Sequence, residues 1–229
     1  MTEEQDKTST IRGNVMLLAG QKVVVVGGSS GIGLATAELA RQEGAEVVIA
    51  SRNKDRLTPA AEKIGATAMV ADVTSDDSVA ALFKAVGVVD HVVVTAAQLR
   101  SGPFKTVPME DVRATMEGKF WGAWRVARSA EIRKGGSLTL VSGFLSIRPR
   151  PNSAIVGAAN GAIESLARGL ALELAPVRVN AVSPGVIDTP IRAAMPEAAR
   201  QEIWRRRRPC FPLGASASVR ILRGRSWRS

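Results

Sequence analysis

The sequence is poor in the side chains on which much acid–base and metal chemistry depends. Its 229 residues include no tyrosine, a single histidine (His91) and a single cysteine (Cys210). One cysteine excludes an intramolecular disulfide and a cysteine-rich metal site, and one histidine excludes a site with several histidine ligands. The absence of tyrosine excludes any mechanism in which a phenol of this chain donates the proton.

Acidic residues are missing from the last part of the chain, so the overall charge is misleading. The whole chain has 31 Lys and Arg against 21 Asp and Glu, a formal net charge of +10. Residues 1–203 hold all 21 acids and 23 of the basic residues, whereas residues 204–229 hold eight arginines and no acid. The positive charge belongs mainly to this tail, and a nucleic-acid partner is not expected from it.

The chain also lacks long apolar runs. None approaches the ~20 residues that span a bilayer, and the polar segment 1–14 does not resemble a signal peptide. The sequence therefore predicts a cytoplasmic protein without a membrane partner, with a flexible segment at 1–14. The tail 204–229 has three interpretations: a basic arm for nucleic acid, a disordered end, or a shifted reading frame. We favour the last and expect the tail to be poorly ordered.

Between these ends, residues 15–203 alternate short valine-rich runs with helical patterns. The predicted strands are Lys22–Val26, Glu46–Ala50, Thr67–Ala71, Asp90–Thr95, Ser137–Val141 and Val177–Val182. The predicted helices are Gly31–Glu43, Lys54–Ile64, Asp76–Val86, Met109–Arg133 and Ser153–Leu174, the fourth of them ending at Gly135-Gly136. Strands that are apolar on both faces are typical of buried parallel sheets. The alternation predicts an α/β fold, a Rossmann-like doubly wound parallel sheet of about six strands.

A glycine-rich loop follows the first strand directly. Residues 27–33 read GGSSGIG and open the first helix. Such a loop lets backbone N–H groups approach a pyrophosphate at a helix N-terminus. We therefore expect the loop to bind a dinucleotide cofactor rather than to form a plain tight turn. Its candidate binding residues are Gly27, Ser29, Ser30, Gly31, Ile32 and Gly33.

The loop and four later segments resemble, in the same order, the short-chain dehydrogenase/reductase family over about residues 15–200. The later segments are Asp72-Val73, VVVTAA at 92–97, LVSG at 140–143 and VRVNAVSPGVIDTP at 177–190. The resemblance implies hydride transfer between a nicotinamide cofactor and a small carbonyl or alcohol substrate. It also implies a homo-oligomer built through helices 109–133 and 153–174. A further family strand beyond residue 203 is not visible in this sequence.

The resemblance assigns further cofactor residues along the chain. It implies that Asp72 and Val73 flank the adenine and that Thr95 and Ala96 line the ribose. It places Pro184, Gly185, Val186 and Thr189 on the nicotinamide side. The second strand ends in Ser51 and Arg52, with no acid for a ribose 2′-hydroxyl. An arginine there can pair with a 2′-phosphate, so we expect NADP(H) rather than NAD(H), the alternative being a solvated surface arginine.

The catalytic positions depart from the family pattern. The resemblance places Val156 and Asn160 where the family has its Tyr and Lys, and Lys119 where it has its Asn. Gly143 stands at the position of the family's serine, directly after Ser142. We expect Lys119, Asn160 and Ser142 to form the catalytic set, with Lys119 as a candidate proton donor. The alternative is that Lys119 and Asn160 are helix-surface residues and that Ser142 points elsewhere.

The sequence also predicts the role of its single histidine and an overall function. His91 lies at the amino-terminal end of its strand, away from the edge where ligands bind in open α/β sheets, so we expect it to be structural. The leading function is an NADP(H)-dependent oxidoreductase with no metal. Its main rival is a catalytically silent nucleotide-binding protein that acts as an interaction module.

Overall fold

The fold is organised around a parallel sheet of six strands, seen in a computed structural model that describes residues 16–185. The strands are β1 (Lys22–Val26), β2 (Glu46–Ser51), β3 (Thr67–Val70), β4 (Val89–Val94), β5 (Ile132–Val141) and β6 (Arg178–Val182). They pair in the order β3-β2-β1-β4-β5-β6, and every pair is parallel. The predicted doubly wound α/β fold is confirmed.

Helices connect the strands and cover both faces of the sheet. They are α1 (Gly31–Gln42), α2 (Lys54–Ile64), α3 (Asp76–Val86), α4 (Met109–Met116), α5 (Gly122–Ser129) and α6 (Ala154–Glu173). A π-helical turn at Glu117–Trp121 joins α4 to α5, and a short 3₁₀ turn at Phe144–Ser146 follows β5.

The core has two apolar layers, one on each face of the sheet, because side chains alternate along a strand. In β1, Val24 and Val26 join the layer that contains α3, α5 and α6. Val23 and Val25 join the opposite layer, which contains α1 and α2. Since both faces are covered, the edge formed by the carboxyl ends of the strands is where a ligand can reach the sheet.

The predicted continuous helix Met109–Arg133 is wrong in two respects. It is interrupted by the π-helical turn, and α5 ends at Ser129. The interruption lies where the backbone runs very close to neighbouring loops. A Cβ atom at Gly118 would lie 2.8 Å from the Gln98 Cβ, and one at Gly122 would lie 2.9 Å from the Val73 Cγ2. Such π turns are rare and often occur at functional sites.

Gly135 and Gly136 do not end that helix but lie inside β5. The pairing of β4 with β5 shifts register at this point, as at a β-bulge, and Gly135 has a φ of +83°. A Cβ at Gly136 would collide with the Asp90 carbonyl oxygen. The two glycines therefore form the bulge, because its positive φ and close backbone contact are readily adopted only by glycine.

Other predictions concern residues outside the described range. They are the flexible segment 1–14, the arginine-rich tail 204–229 and the missing strand beyond residue 203. Within residues 16–185, no helix is both long enough and apolar enough to cross a bilayer.

Candidate cofactor and catalytic site

The candidate site lies between β1 and β4, where the strand order reverses. The chain continues from β1 to β2 on one side, and β4 pairs with β1 on the other. A cavity of about 250 Å³ opens there, lined by residues at the carboxyl ends of β1 to β5. In open α/β sheets this is where a ligand crevice forms.

Most of the predicted cofactor residues line this cavity. They are Gly27, Ser29, Ser30, Gly31, Ile32, Gly33, Ser51, Arg52, Val73, Thr95 and Ala96. The prediction omitted several further lining residues, namely Val26, Ala50, Ala71, Thr74, Gln98, Gly118 and Val141. Thr74 and Gln98 each follow a strand end closely, which is the signal that would have found them.

The glycine loop is tightly packed against the residues that follow β4. Gly27 has a φ of +93°, which favours glycine. A Cβ at Gly27 would lie 2.5 Å from both the Thr95 Oγ1 and the Ala96 nitrogen. A Cβ at Gly33 would lie 2.5 Å from the same Thr95 oxygen. The loop can therefore keep this path only with glycine at both positions.

Helix α1 begins at the cavity with its N-terminus unsatisfied. Its N-cap residue, Ser30, makes no side-chain capping bond, and its first turn contains no acid. By contrast, Asn53 and Ser75 cap α2 and α3, whose first turns also carry acids. The free N–H groups and partial positive charge of α1 thus remain available for an anion at the cavity.

Polar side chains from β2 form one rim of the cavity. The Ser29 hydroxyl donates to the Ser51 Oγ at 3.0 Å. The exposed Arg52 guanidinium reaches the Gln98 Oε1 at 3.4 Å. This long, exposed contact leaves most of the guanidinium's donors facing solvent beside the cavity.

The predicted adenine pair divides into two roles. Val73 is buried and lines the cavity. Asp72 is not among the lining residues, and its Oδ1 accepts from the Thr74 N–H at 2.9 Å and the Thr74 hydroxyl at 2.8 Å. The Asp72 carboxylate therefore fixes the turn after β3 that brings Val73 and Thr74 to the cavity.

Thr95 faces the glycine loop with its hydroxyl. This hydroxyl donates to the carbonyl oxygens of Val26 at 3.2 Å and Gly27 at 3.1 Å. The residue thus lines the cavity and also ties the end of β4 to the start of the loop.

Lys119 is enclosed by the protein. It belongs to the π-helical turn and is only 5% exposed. Its Nζ donates to the carbonyl oxygens of Val141 at 3.1 Å and Ser142 at 3.2 Å. Burial lowers the pKa of Lys119 to about 8. The alternative of a solvated helix lysine is therefore wrong. Lys119 is not itself a lining residue, but its neighbours Gly118 and Val141 are.

Asn160 is also buried, at 2% exposure, so the alternative of a helix-surface residue is wrong for it too. Its side-chain amide packs against Gly143, where an added Cβ would lie 2.8 Å from the Nδ2 atom. In the part of the chain that the structure describes, its Oδ1 atom has no hydrogen-bond partner. A buried acceptor without a partner is uncommon and marks this end of the site as polar.

Ser142 points towards α6 rather than towards the cavity. Its hydroxyl contacts the Glu164 Oε1 at 2.7 Å and the Asn160 carbonyl oxygen at 3.1 Å, and Ser142 is not a lining residue. The Ser142 hydroxyl therefore does not face the cavity, as a direct contact with a bound substrate would require. Glu164 itself was missed by the sequence reasoning, although it lies one helical turn after Asn160.

The predicted nicotinamide-side segment is only partly within the described range. The Pro184 carbonyl oxygen accepts from the Phe144 N–H at 3.2 Å, and neither Pro184 nor Gly185 lines the cavity. Val186 and Thr189 lie outside the described residues.

His91 has a structural environment. Its Nδ1 lies 2.8 Å from the Ser137 Oγ, and its Nε2 lies 2.6 Å from the Gln21 Oε1. Burial, and then the charge of Arg178, lower its pKa more than Asp90 raises it. These contacts agree with the predicted structural role. Within residues 16–185, no group of His, Cys, Asp and Glu side chains is arranged to hold a metal ion.

Comparisons with known proteins agree with this geometry. A family model described as enoyl-(acyl carrier protein) reductase matches residues 26–220. The chain is 34% identical to the short-chain dehydrogenase/reductase ATR9 of Stachybotrys chlorohalonatus over 192 residues, 73% of this chain and 74% of that protein. It is 35% identical to a glucose 1-dehydrogenase of Gluconobacter oxydans, covering 76% of this chain and 71% of that one.

A solved structure shares the same architecture. A small-chain dehydrogenase in complex with NADPH superposes with a TM-score of 0.70 at 31% identity, covering 84% of this chain and 82% of that one. Because the family model and these relatives match most of its length, the chain belongs to the short-chain dehydrogenase/reductase family.

Proposed function

We propose that this oxidoreductase uses NADP(H) in preference to NAD(H) and transfers hydride between the nicotinamide and a small carbonyl or alcohol substrate. Membership of the family already makes the chain a dehydrogenase or reductase of CH–OH and C=O groups. The choice of nucleotide and the catalytic residues are the parts proposed here.

The residues present at the cavity fit a dinucleotide. The open N-terminus of α1 can accept a phosphate, and the glycine loop lets the ligand approach the backbone. Ser29 and Ser30 add hydroxyls beside that N-terminus. When bound, the cofactor supplies or accepts the hydride, and the protein supplies orientation and the proton.

The end of β2 carries the proposed preference for NADP(H). No carboxylate stands there to accept from a ribose 2′-hydroxyl; Ser51 and Arg52 occupy the position and both line the cavity. A guanidinium binds phosphate through charge-assisted hydrogen bonds, whereas a carboxylate at this position would repel it. We therefore assign the 2′-phosphate to Arg52.

Substitution of Arg52 by Asp tests this assignment. The variant loses the phosphate contact and gains a repulsive charge, so NADPH affinity should fall by about 10- to 100-fold, in line with about 1.5–3 kcal/mol for a charged hydrogen bond. NADH affinity should stay equal or rise. Fluorescence titration of both nucleotides measures the two changes.

Arg56→Ala is the matched control, because Arg56 lies one turn into α2 and does not line the cavity. It should bind both nucleotides as the wild type does. Unchanged NADPH affinity in Arg52→Asp would contradict the assignment. A wild-type chain that binds neither nucleotide would contradict cofactor binding altogether.

Lys119 is the group that we assign as proton donor for reduction. As the carbonyl carbon gains the hydride, its oxygen gains negative charge and takes a proton that originates from the Lys119 Nζ, which becomes a neutral amine. A pKa of about 8 suits this work near neutral pH. The Val141 and Ser142 carbonyls orient the ammonium just behind the cavity wall.

Asn160 and Ser142 complete the proposed catalytic set as supports. Asn160 brings a buried acceptor to the same strand end, and Ser142 links that end to α6. The rival function, a catalytically silent nucleotide-binding protein, is not favoured by a family of dehydrogenases and reductases. NADPH consumption with a panel of carbonyl compounds separates the two.

We also propose a homo-oligomer built through the helices at 109–133 and 153–174. An aromatic cluster on the first of these supports it. The Trp121 and Trp124 rings lie 6.2 Å apart, and the two residues are 45% and 43% exposed. Large exposed aromatic groups of this kind are enriched at protein interfaces.

A further inference from the structure

One carboxylate oxygen joins three separate segments beside the catalytic end of the site. The Oε1 atom of Glu164 lies 2.7 Å from the Ser142 Oγ, 2.7 Å from the Ser146 Oγ and 3.1 Å from the Ser183 Oγ. These serines come from the end of β5, the 3₁₀ turn after it and the loop after β6. A single side chain on α6 thus contacts three chain segments.

The hydroxyls stabilise the charged form of this carboxylate. Burial opposes ionisation of Glu164, but hydrogen bonds from Ser146, Ser142 and Ser183, with Arg168 nearby, outweigh it and hold its pKa below the ordinary value. Charge-assisted hydrogen bonds are stronger than neutral ones. The three segments are therefore held together by charge-assisted hydrogen bonds to the Glu164 carboxylate.

The three segments lie near β5 and β6, on the other side of the reversal point from β2. Arg52, to which we assign the 2′-phosphate, lines the cavity directly after β2, so the adenosine half would lie on that side. A dinucleotide crosses the reversal point between β1 and β4, so its other half lies towards β5 and β6. Ser142 directly follows the carboxyl end of β5, and Ser183 directly follows that of β6.

Main-chain bonds join the same segments and make Glu164 part of one assembly. The Ser142 N–H donates to the Val182 carbonyl at 2.8 Å, and the Phe144 N–H donates to the Pro184 carbonyl at 3.2 Å. The Ser142 hydroxyl also reaches the carbonyl oxygen of Asn160, on the helix that bears Glu164. The Lys119 Nζ donates to the Ser142 carbonyl at 3.2 Å.

We infer that Glu164 is a positioning residue, which holds the ends of β5 and β6 together and so sets affinity for the nicotinamide half of the cofactor. This inference rests on the proposed cofactor binding. It assigns Glu164 no contact with the reacting atoms. Its effect passes through Ser142, Ser146 and Ser183.

Comparison of two ligands on the full chain tests the inference. NADPH engages both halves of the site, whereas adenosine 2′,5′-bisphosphate engages only the adenosine half. In Glu164→Ala, NADPH affinity should fall about tenfold, because three charge-assisted contacts are lost, while adenosine 2′,5′-bisphosphate affinity should stay within about twofold. Calorimetric titration measures both.

Conservative variants provide the matched series. Glu164→Gln keeps an acceptor oxygen and should recover part of the lost NADPH affinity. Ser165→Ala, at the exposed neighbouring position, should leave both affinities unchanged. Ser146→Ala removes one of the three donors and should give a smaller loss for NADPH alone, so it keeps the test decisive if Glu164→Ala does not fold.

Each result separates the inference from the proposed function on which it rests. Equal losses for the two ligands in Glu164→Ala, or no loss for either, would overturn the positioning role while cofactor binding stands. A wild-type chain that binds neither ligand would overturn the proposed function and this inference together. A selective loss for NADPH, restored in part by Glu164→Gln, is the expected outcome.

Discussion

The two ends of the candidate site are built from different kinds of chemical group. At the end near β1 and β2, the backbone provides the binding surface: tightly packed glycines and an uncapped helix N-terminus. Near the end of β5, just beyond the cavity wall, the buried residues Lys119, Asn160 and Ser142 and the half-buried Glu164 lie close together. The chemistry of the first end is set by the conformation of the backbone, and that of the second end is set by which side chains are present.

Packing explains why the loop has glycine at two of its positions. Glycine at positions 27 and 33 is required by packing against Thr95, whatever ligand binds. At the other end, Lys119 and Asn160 come from two different elements, and both reach the chain at the end of β5.

The largest expected effect comes from Lys119→Met at the polar end. Removal of a general acid should slow NADPH-dependent carbonyl reduction by about 10²–10⁴-fold, while NADPH affinity stays within about twofold. The ammonium is present below its pKa of about 8 and is lost above it. The wild-type rate should therefore fall as pH rises through about 8, and the variant should lack this step.

Steady-state rates across pH 6–10 check this, with Lys84→Met as the control because Lys84 is an exposed residue of α3. Unaltered turnover in Lys119→Met, or the same pH profile in both, would remove Lys119 from the mechanism.

The next effect concerns Gly33 at the backbone end. A Cβ in Gly33→Ala would press on the Thr95 hydroxyl and the Gly27 carbonyl, so the loop has to move. Loss of two or more phosphate contacts should weaken NADPH binding by about 100-fold. Fluorescence titration measures the change.

Gly169→Ala is the matched control, since an added Cβ there meets nothing within 4 Å in α6. It should keep NADPH affinity and stabilise the fold by up to about 1 kcal/mol. Normal cofactor binding by Gly33→Ala would refute the packing requirement.

The smallest effect tests the open N-terminus of α1. Ser30→Asp introduces a good N-cap and a negative charge where an anion is expected. The variant should be more stable without ligand by roughly 0.5–1 kcal/mol and should bind NADPH about tenfold more weakly.

Thermal unfolding and titration measure these two changes. Ser30→Ala should change stability little, because Ser30 makes no capping bond. An unchanged NADPH affinity in Ser30→Asp would mean that the helix end does not bind the phosphate.

Much of the fold followed from local patterns, and the failures have a physical cause. Apolar valine runs predicted the strands to within a residue or so at most ends, because buried strands need that composition. Helix α4 could not be distinguished from its π-helical continuation, since the interruption depends on close approach to Gln98 and Val73. Likewise, Gly135-Gly136 indicated a helix end locally, but the bulge depends on the distant Asp90.

The candidate site follows the same division. The loop at 27–33 was predictable because backbone geometry limits its residues. The direction of the Ser142 hydroxyl was not, since it depends on Glu164 and Asn160, which come from a helix further along the chain. Burial of Lys119 was equally hidden, because the sequence pattern does not show which helix face the π turn presents.

The two bonds of the Thr95 hydroxyl also bear on the order in which the molecule assembles. Thr95 and Val26 are 69 residues apart, and β1, β2 and β3 pair with one another without β4. Closing so long a loop costs chain entropy before any contact repays it. The contacts that hold the glycine loop in place therefore include the end of β4, so the first βα unit alone lacks part of what fixes the loop, and cofactor binding depends on the sheet as far as β4.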